Sequence, residues 1–369
     1  MDIKKEAVKL HEKLRGKVEL RPKVSVNQRV LSLLYTPGVA EIVRRISERH
    51  DDVYTYTGKG NAIAIVSDGS RILGLGNLGP EAALPVMEGK ALLFKVYGNV
   101  DAFPLCVKAH RAEEIISFVE AITPTFGAIN IEDIEAPKCF VVVQELMRSL
   151  KIPVFHDDQH GTAIVVAAAL LNALKLVGKN LRTAKIVILG AGAAGYGITK
   201  LLVHAGATNI YVFDSKGILS THRTDLNPYK AELASLTHHG YERGDLASTI
   251  AGSDVFIGVS GKANILTSAH VTSMAKRAIV FALSNPDPEI MPGDAKKGGA
   301  EIIATGRSDF GNQVNNVVVF PFLMRKILDE RIQKVTPELM LTAARKIASF
   351  TKPLANEHIL PTADEMKPL

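Results

Sequence analysis

Apolar positions fall into two regimes along the chain. From about residue 185 onward, short apolar runs alternate with helical patterns at regular spacing: KIVILG, a helix from Gly195, IYVFD, a helix from Pro228, DVFIGVS, a further helix, AIVFALSNP and EIIATG. Strands alternating with helices in this way predict a parallel, doubly wound sheet. Helices around Pro321 to Ile332 and Pro337 to Phe350 close the chain. The first 159 residues are less regular. MDIKKEAVKLHEKLRG has the period of an amphipathic helix, and AIAIVSDGSRILGLG reads as two strands joined in a hairpin at Asp68-Gly69. Helical patterns cover Glu81 to Lys95, Arg111 to Ile122 and Ala136 to Leu150, with short strands at GAINI and PVFH. A long helix from Gly161 to about Val177 links the halves. The expected class is α/β, with an N-terminal domain over residues 1–159 and a Rossmann-type domain with C-terminal helices over residues 160–369.

At 47% hydrophobic and 22% charged, 369 residues are enough for two globular cores. The net charge of +6 is scattered and lacks the dense basic blocks of a nucleic-acid-binding tail, although it would attract an anionic substrate. Cys106 and Cys139 have no CxxC spacing and read as packed thiols in a reducing compartment. The N-terminus lacks the apolar core of a signal peptide, and the apolar run Ala163 to Leu171 is too short for a membrane span. A cytoplasmic protein with neither membrane nor nucleic-acid partner is expected. The polar stretch Ser220 to Asn227 reads as a surface loop.

Candidate chemistry sharpens this picture. Gly190-Ala191-Gly192-Ala193-Ala194-Gly195 follows a strand and opens a helix, and Asp214 ends the next strand, 24 residues past Gly190. That context makes a GxGxxG a dinucleotide site: Gly190 for the tight turn, Gly192 for backbone approach to the pyrophosphate, Gly195 for helix–strand packing. Asp214 on a ribose 2′-OH favours NAD, whereas Ser215 and above all Lys216 could meet a 2′-phosphate. The balance tips slightly to NADP. Two acidic pairs, Glu132-Asp133 and Asp157-Asp158, each end a predicted strand, where ligands of open α/β sheets gather. Glu132, Asp133 and Asp158 are expected to hold Mg²⁺ or Mn²⁺, hard cations that prefer oxygen. Asp157 is expected to stand behind them or assist proton transfer. His156 and His160 suit helix-terminal or packing roles better than ligation.

YTPGVA (Tyr35 to Ala40), VSDGSRILGLGNLG (Val66 to Gly79), EGKALLFK (Glu88 to Lys95), NIEDI, HDDQHGTA, GAGAAG and LSNPDPE together resemble the malic enzymes of the short bacterial and archaeal type. The match runs in the family's order from about residue 15 to 350. The resemblance implies oxidative decarboxylation of (S)-malate to pyruvate and CO₂ with NAD(P)⁺ and a divalent metal, in a homodimer. It places the general base at Lys90, the general acid at Tyr35, a malate-carboxylate contact at Arg71 and another substrate contact at Asn285. A family amide ligand falls on Asn315 or Asn316. The three metal carboxylates coincide with those above, so the first domain becomes the substrate and metal domain. Lys90 lies on an apolar helix, where burial is expected to lower its pKa toward neutrality. The rival within this site is non-redox decarboxylation of malate to lactate; a nucleotide-binding module without catalysis is less well matched, since it needs neither Lys90 nor Tyr35. The chain stops at LPTADEMKPL, where relatives commonly continue into a further helix, and its length leaves no room for the acyltransferase-like extension of some relatives.

Overall fold

The apolar runs pair as two sheets in a computed structural model that describes residues 3–237 and 244–369. Residues 1–2 of the predicted N-terminal helix lie outside the described residues. The first sheet holds β1 (Ala62–Ser67), β2 (Asp101–Cys106), β3 (Ala128–Ile131) and β4 (Val154–His156), in the order β2-β1-β3-β4 and parallel throughout. Every residue of β1, β3 and β4 is buried. That explains their unbroken apolar runs, because a parallel sheet is covered on both faces.

The predicted hairpin at Asp68-Gly69 does not form. Asp68 Oδ1 instead accepts hydrogen bonds from the Ser70 N–H (3.0 Å) and Oγ (2.6 Å), and Arg71 N–H then reaches Asp133 O at 3.0 Å. The chain is thus turned toward the end of β3, leaving one isolated bridge at Ile72 and Gly76. The strand beside β1 is β2, whose half-buried residues and Pro104 gave no strand signal. The helices Pro80–Gly98, Ala112–Ile122 and Lys138–Ser149 fall where the apolar period predicts them.

The second sheet has the order β10-β9-β8-β5-β6-β7. Its strands are β5 (Ile186–Leu189), β6 (Ile210–Asp214), β7 (Gly217–Ile218), β8 (Val255–Gly258), β9 (Ile279–Ala282) and β10 (Ile302–Thr305), all parallel except the short β7. Strand order reverses between β5 and β8, which opens a crevice beyond their carboxyl ends.

Between the sheets runs the helix Thr162–Val177, preceded by a wide π-type turn at Asp157–Gly161. The segment Asp157–Val177 is, against expectation, long and apolar enough to cross a membrane by length and composition, but 78% of its most apolar window is buried inside the fold. It packs on the helices Ala193–His204 and Pro337–Phe350, within a continuous core that takes residues from both sheets. Across that core Phe140 stacks on Tyr196 and Tyr229, with ring centroids 4.7 and 4.6 Å away. Burial pushes the buried Cys139 thiol up to about 12 and the half-buried Cys106 thiol to about 11, which disfavours the thiolate at both.

Helices Ile3–Leu14, Gln28–Leu34 and Val39–Glu48 contain no buried residue. Leu20, Val26, Leu33 and Leu34 in this arm are all more than half exposed.

Candidate active site

The carboxyl ends of β3, β4, β5, β8, β9 and β10 look into one cleft of about 600 Å³. Lys90 enters it from the helix Pro80–Gly98, on the buried stripe that includes Met87 and Phe94. Its Nζ is 2.8 Å from Glu132 Oε1, 2.6 Å from Asp157 Oδ2 and 4.1 Å from the centre of the Phe320 ring. Burial alone would disfavour the ammonium, but Asp157 and Glu132 outweigh it and raise Lys90 above the ordinary lysine range. The expected direction of this shift is therefore corrected: the helix buries Lys90, yet its two carboxylate partners hold its proton.

Glu132 and Asp133 follow β3, and Asp157 and Asp158 follow β4, so pairing of adjacent strands brings four carboxylates together. Burial and repulsion from Asp157, Asp158 and Asp133 push Glu132 well above the carboxylate range, despite the pull of Lys90. Burial and Asp158 raise Asp133 to about 7, and burial raises Asp157. Asp158 moves the other way: against its burial, His156 and the Asp133 N–H (3.0 Å) stabilise its charge. Asp133 takes a φ of +51°, which costs a non-glycine residue about 1 kcal/mol and turns its side chain toward the cluster. A Cβ at Gly161 would lie 1.9 Å from Asp157 Oδ1, so glycine there makes room for that carboxylate.

Among the described residues, no group of three or more His, Cys, Asp or Glu side chains is gathered into a coordination sphere. Glu132 turns to Lys90 and Asp158 to the Asp133 N–H instead. The donor set nevertheless fits a hard cation. Asp133 Oδ2 and Asp157 Oδ1 are buried without a hydrogen-bond partner, and Asp158, 38% exposed, opens to the cleft. Four carboxylates against one ammonium leave an excess of negative charge that a divalent cation would offset. His156 is fully buried with Nε2 3.4 Å from Asp158 Oδ2, and burial lowers His160 to about 3, which keeps it a neutral packing ring beside Phe155.

Arg71, Asn285, Asn315 and Asn316 also line the cleft. Arg71 makes no ion pair among the described residues, which leaves its guanidinium available to an anion. The two neighbouring asparagines differ. Asn315 Oδ1 caps the Val317 N–H at 3.0 Å, while Asn316 Nδ2 donates to Asp157 Oδ2 at 3.1 Å. Tyr35 is the exception among the expected catalytic, substrate and metal residues. It lies on the arm, 67% exposed, and does not line the cleft.

The dinucleotide turn sits at the other end of the cleft, where Gly192, Ala193 and Ala194 line it. Gly190 has φ +122°, a Cβ at Gly195 would lie 1.8 Å from Gly190 O, and a Cβ at Gly192 would meet nothing within 4 Å. Gly190 thus makes the tight turn and Gly195 the close packing, while Gly192 faces open space. Asp214 ends β6, but its carboxylate is already taken: Arg223 Nη1 lies 2.8 Å away, Lys230 Nζ 2.6 Å and the Lys216 N–H 2.9 Å. These hydrogen bonds outweigh partial burial and hold Asp214 down at about 2. Arg223 and Lys216 both reach Asp225 as well. Arg223 and Lys230 were not legible as site residues, since one sits in the polar loop and the other on a helix.

Two family models cover the chain: the malic enzyme N-terminal domain matches residues 15–147, and the malic enzyme NAD binding domain matches residues 159–369. The bifunctional malic/malolactic enzyme of Bacillus subtilis is 49% identical over 98% of this chain and 89% of its own. An NADP-dependent malic enzyme of Halomonas elongata is 46% identical over 93% of this chain and 81% of its own. The crystal structure of the NAD-dependent malic enzyme of Thermotoga maritima superposes with a TM-score of 0.93 at 48% identity, covering 97% of this chain and 95% of its own. Fold, sequence and both family models converge, and the chain belongs to the malic enzyme family, an enzyme built on a nicotinamide-dinucleotide domain.

Proposed function

We propose that this chain oxidatively decarboxylates (S)-malate to pyruvate and CO₂, reducing NADP⁺ or NAD⁺ with the help of Mg²⁺ or Mn²⁺. The observation that carries the reading is Lys90 Nζ, buried between Glu132 and Asp157 in a cleft shared with the dinucleotide turn. Residues 1–159 form the substrate and metal half and residues 160–369 the coenzyme half.

Arg71 binds a malate carboxylate, and Asn285 and Asn316 orient the substrate. Asn316 is preferred to Asn315 because its amide is tied to Asp157, beside the base. A cation held by Glu132, Asp133 and Asp158 would supply Lewis acidity at the C2 oxygen, and the oxidised nicotinamide accepts the hydride from C2. Lys90 takes the C2 hydroxyl proton, so it must first release its own. Asp157, at 2.6 Å and with its proton affinity raised by burial, is the group that takes it. The resulting 3-carboxy-2-keto acid loses CO₂ as the C3–C4 bond breaks, and Tyr35 gives C3 its proton to form pyruvate.

Tyr35 is on an arm whose helices bury nothing, which supports a homodimer in which the arm covers a second copy and brings Tyr35 to that copy's cleft. At the coenzyme ribose, Lys216, Arg223 and Lys230 outnumber Asp214 and Asp225 by one charge, which supports a modest preference for the 2′-phosphate of NADP. A second reading, malate to lactate without net redox, draws support from the Bacillus subtilis relative, named as bifunctional.

The deciding assay measures reduction of NADP⁺ and NAD⁺ with (S)-malate and Mn²⁺, with pyruvate and lactate quantified in the same samples. Pyruvate stoichiometric with reduced coenzyme, and abolished by a chelator, is expected. Lactate without coenzyme reduction would establish the non-redox reading instead.

A further inference from the structure

We infer that Glu289 is a positioning residue for the substrate end of the cleft, acting through Asn285. Glu289 is fully buried, yet it faces no cation among the described residues. Its Oε1 accepts from the Ser260 N–H (2.9 Å), Ser260 Oγ (2.9 Å) and Ser284 Oγ (2.5 Å), and its Oε2 accepts from the Ser284 N–H (3.2 Å). All four donors come from two segments, the one leaving β8 and the one leaving β9. A buried carboxylate is costly unless its acceptors are filled, and here both oxygens are used.

These two segments form a wall of the cleft. Val259, Gly261, Leu283, Ser284 and Asn285 all line it. The backbone bond Leu283 N–H to Gly258 O (2.9 Å) continues the pairing of β8 and β9 by one step. Next along the wall come side-chain ties, with Ser284 Oγ donating to Glu289 and accepting from the Gly261 N–H at 2.8 Å. Further out, the backbone bonds Asn264 N–H to Pro288 O (3.1 Å) and Leu266 N–H to Glu289 O (2.9 Å) join the same two segments. Asn285 follows Ser284 directly, so its position is set by the residue that Glu289 grips through both N–H and hydroxyl. Space is reserved for this carboxylate: a Cβ at Gly258 would lie 2.4 Å from Glu289 Cδ. Glu289 lies beneath the wall and reaches Asn285 only through Ser284. It sets the geometry of binding, not the proton or hydride steps.

This inference rests on the reading of Asn285 as a malate contact. The test is a cycle of Glu289→Gln, Asn285→Ala and the double variant in the full chain, with malate KM, kcat and binding of reduced coenzyme by its fluorescence. Glutamine keeps the volume but turns one accepting oxygen into a donor, which leaves a Ser260 or Ser284 N–H unpaired. Glu289→Gln is expected to raise malate KM about tenfold, with a smaller fall in kcat and coenzyme affinity unchanged within about twofold. On the Asn285→Ala background, Glu289→Gln is expected to add little, since the residue it positions is gone. Ser284→Ala, which removes only a hydroxyl, is expected to shift KM in the same direction by a few fold and carries the test if Glu289→Gln does not fold. An unchanged KM in the folded Glu289 variant, or effects that simply multiply in the double variant, would overturn the positioning role. An unchanged KM in Asn285→Ala would overturn the substrate assignment itself, and this inference with it.

Discussion

Lys90 and Tyr35, the two residues read as base and acid, occupy opposite environments. Lys90 is 8% exposed, held by two carboxylates and a ring on a helix whose inner face is core. Tyr35 is 67% exposed on an arm whose three helices bury no residue. The difference teaches that, of the proposed acid–base pair, the base is preorganised by one chain's core, while the acid sits on an exposed surface of the same chain. Exposed apolar side chains recur along the arm from Ile3 to Val43, and the homodimer proposed above would cover them.

The largest effects should come from removing either member of the pair. Lys90→Met is expected to lower malate oxidation by about 10²–10⁴-fold while reduced-coenzyme fluorescence still reports binding. Loss of both would make Lys90 a structural residue. Tyr35→Phe is expected to be similarly inactive with a nearly unchanged melting temperature, because the residue is 67% exposed in its own chain and loses only a hydroxyl. Mixing the two dead variants breaks or sharpens the comparison. If Tyr35 serves a partner's cleft, each mixed dimer regains one complete site, and activity returns to about a quarter of the native level in a symmetric two-chain assembly. If each chain uses its own tyrosine, the mixture stays dead.

Legibility in the sequence follows the same division. The doubly wound sheet was readable because β5, β8 and β9 are buried on both faces and their helices recur at fixed spacing. The acidic pairs were readable because both end strands, although their convergence depends on β3 pairing with β4, which no local pattern encodes. The hairpin at Asp68-Gly69 was misread because an Asx-type hydrogen bond from Ser70 outweighed the turn signal of Asp-Gly. The rise in the Lys90 pKa was invisible for a related reason. Burial can be read from an apolar helix, whereas Glu132 and Asp157 lie 42 and 67 residues away in the chain. Arg223 and Lys230 were missed because nothing local to them marks a site, whereas Glu289 ends the LSNPDPE motif, of which only Asn285 was read as a site residue.

At the coenzyme end the expected effects are intermediate. Arg223→Ser removes one of three cations around Asp214 and Asp225, so kcat/KM with NADP⁺ should fall about 10–100-fold and that with NAD⁺ by much less. Equal losses with both coenzymes would mean that Arg223 only holds Asp214 in place.

The smallest effect tests the arm itself, through one chemical change made in two places. Leu146→Ala deletes a fully buried side chain and is expected to cost about 2–5 kcal/mol at any protein concentration. Leu33, 60% exposed in the single chain, has almost nothing to lose on its own, so Leu33→Ala should cost no more than about 0.5 kcal/mol in dilute monomer. If a second copy covers the arm, the same substitution must weaken association, and its cost should appear only as concentration rises into the range where dimers form. Melting temperature and sedimentation measured over a dilution series separate the two cases. A Leu33→Ala penalty independent of concentration would mean that the arm folds back onto its own chain, and Tyr35 would then need a route to the cleft that does not pass through a partner.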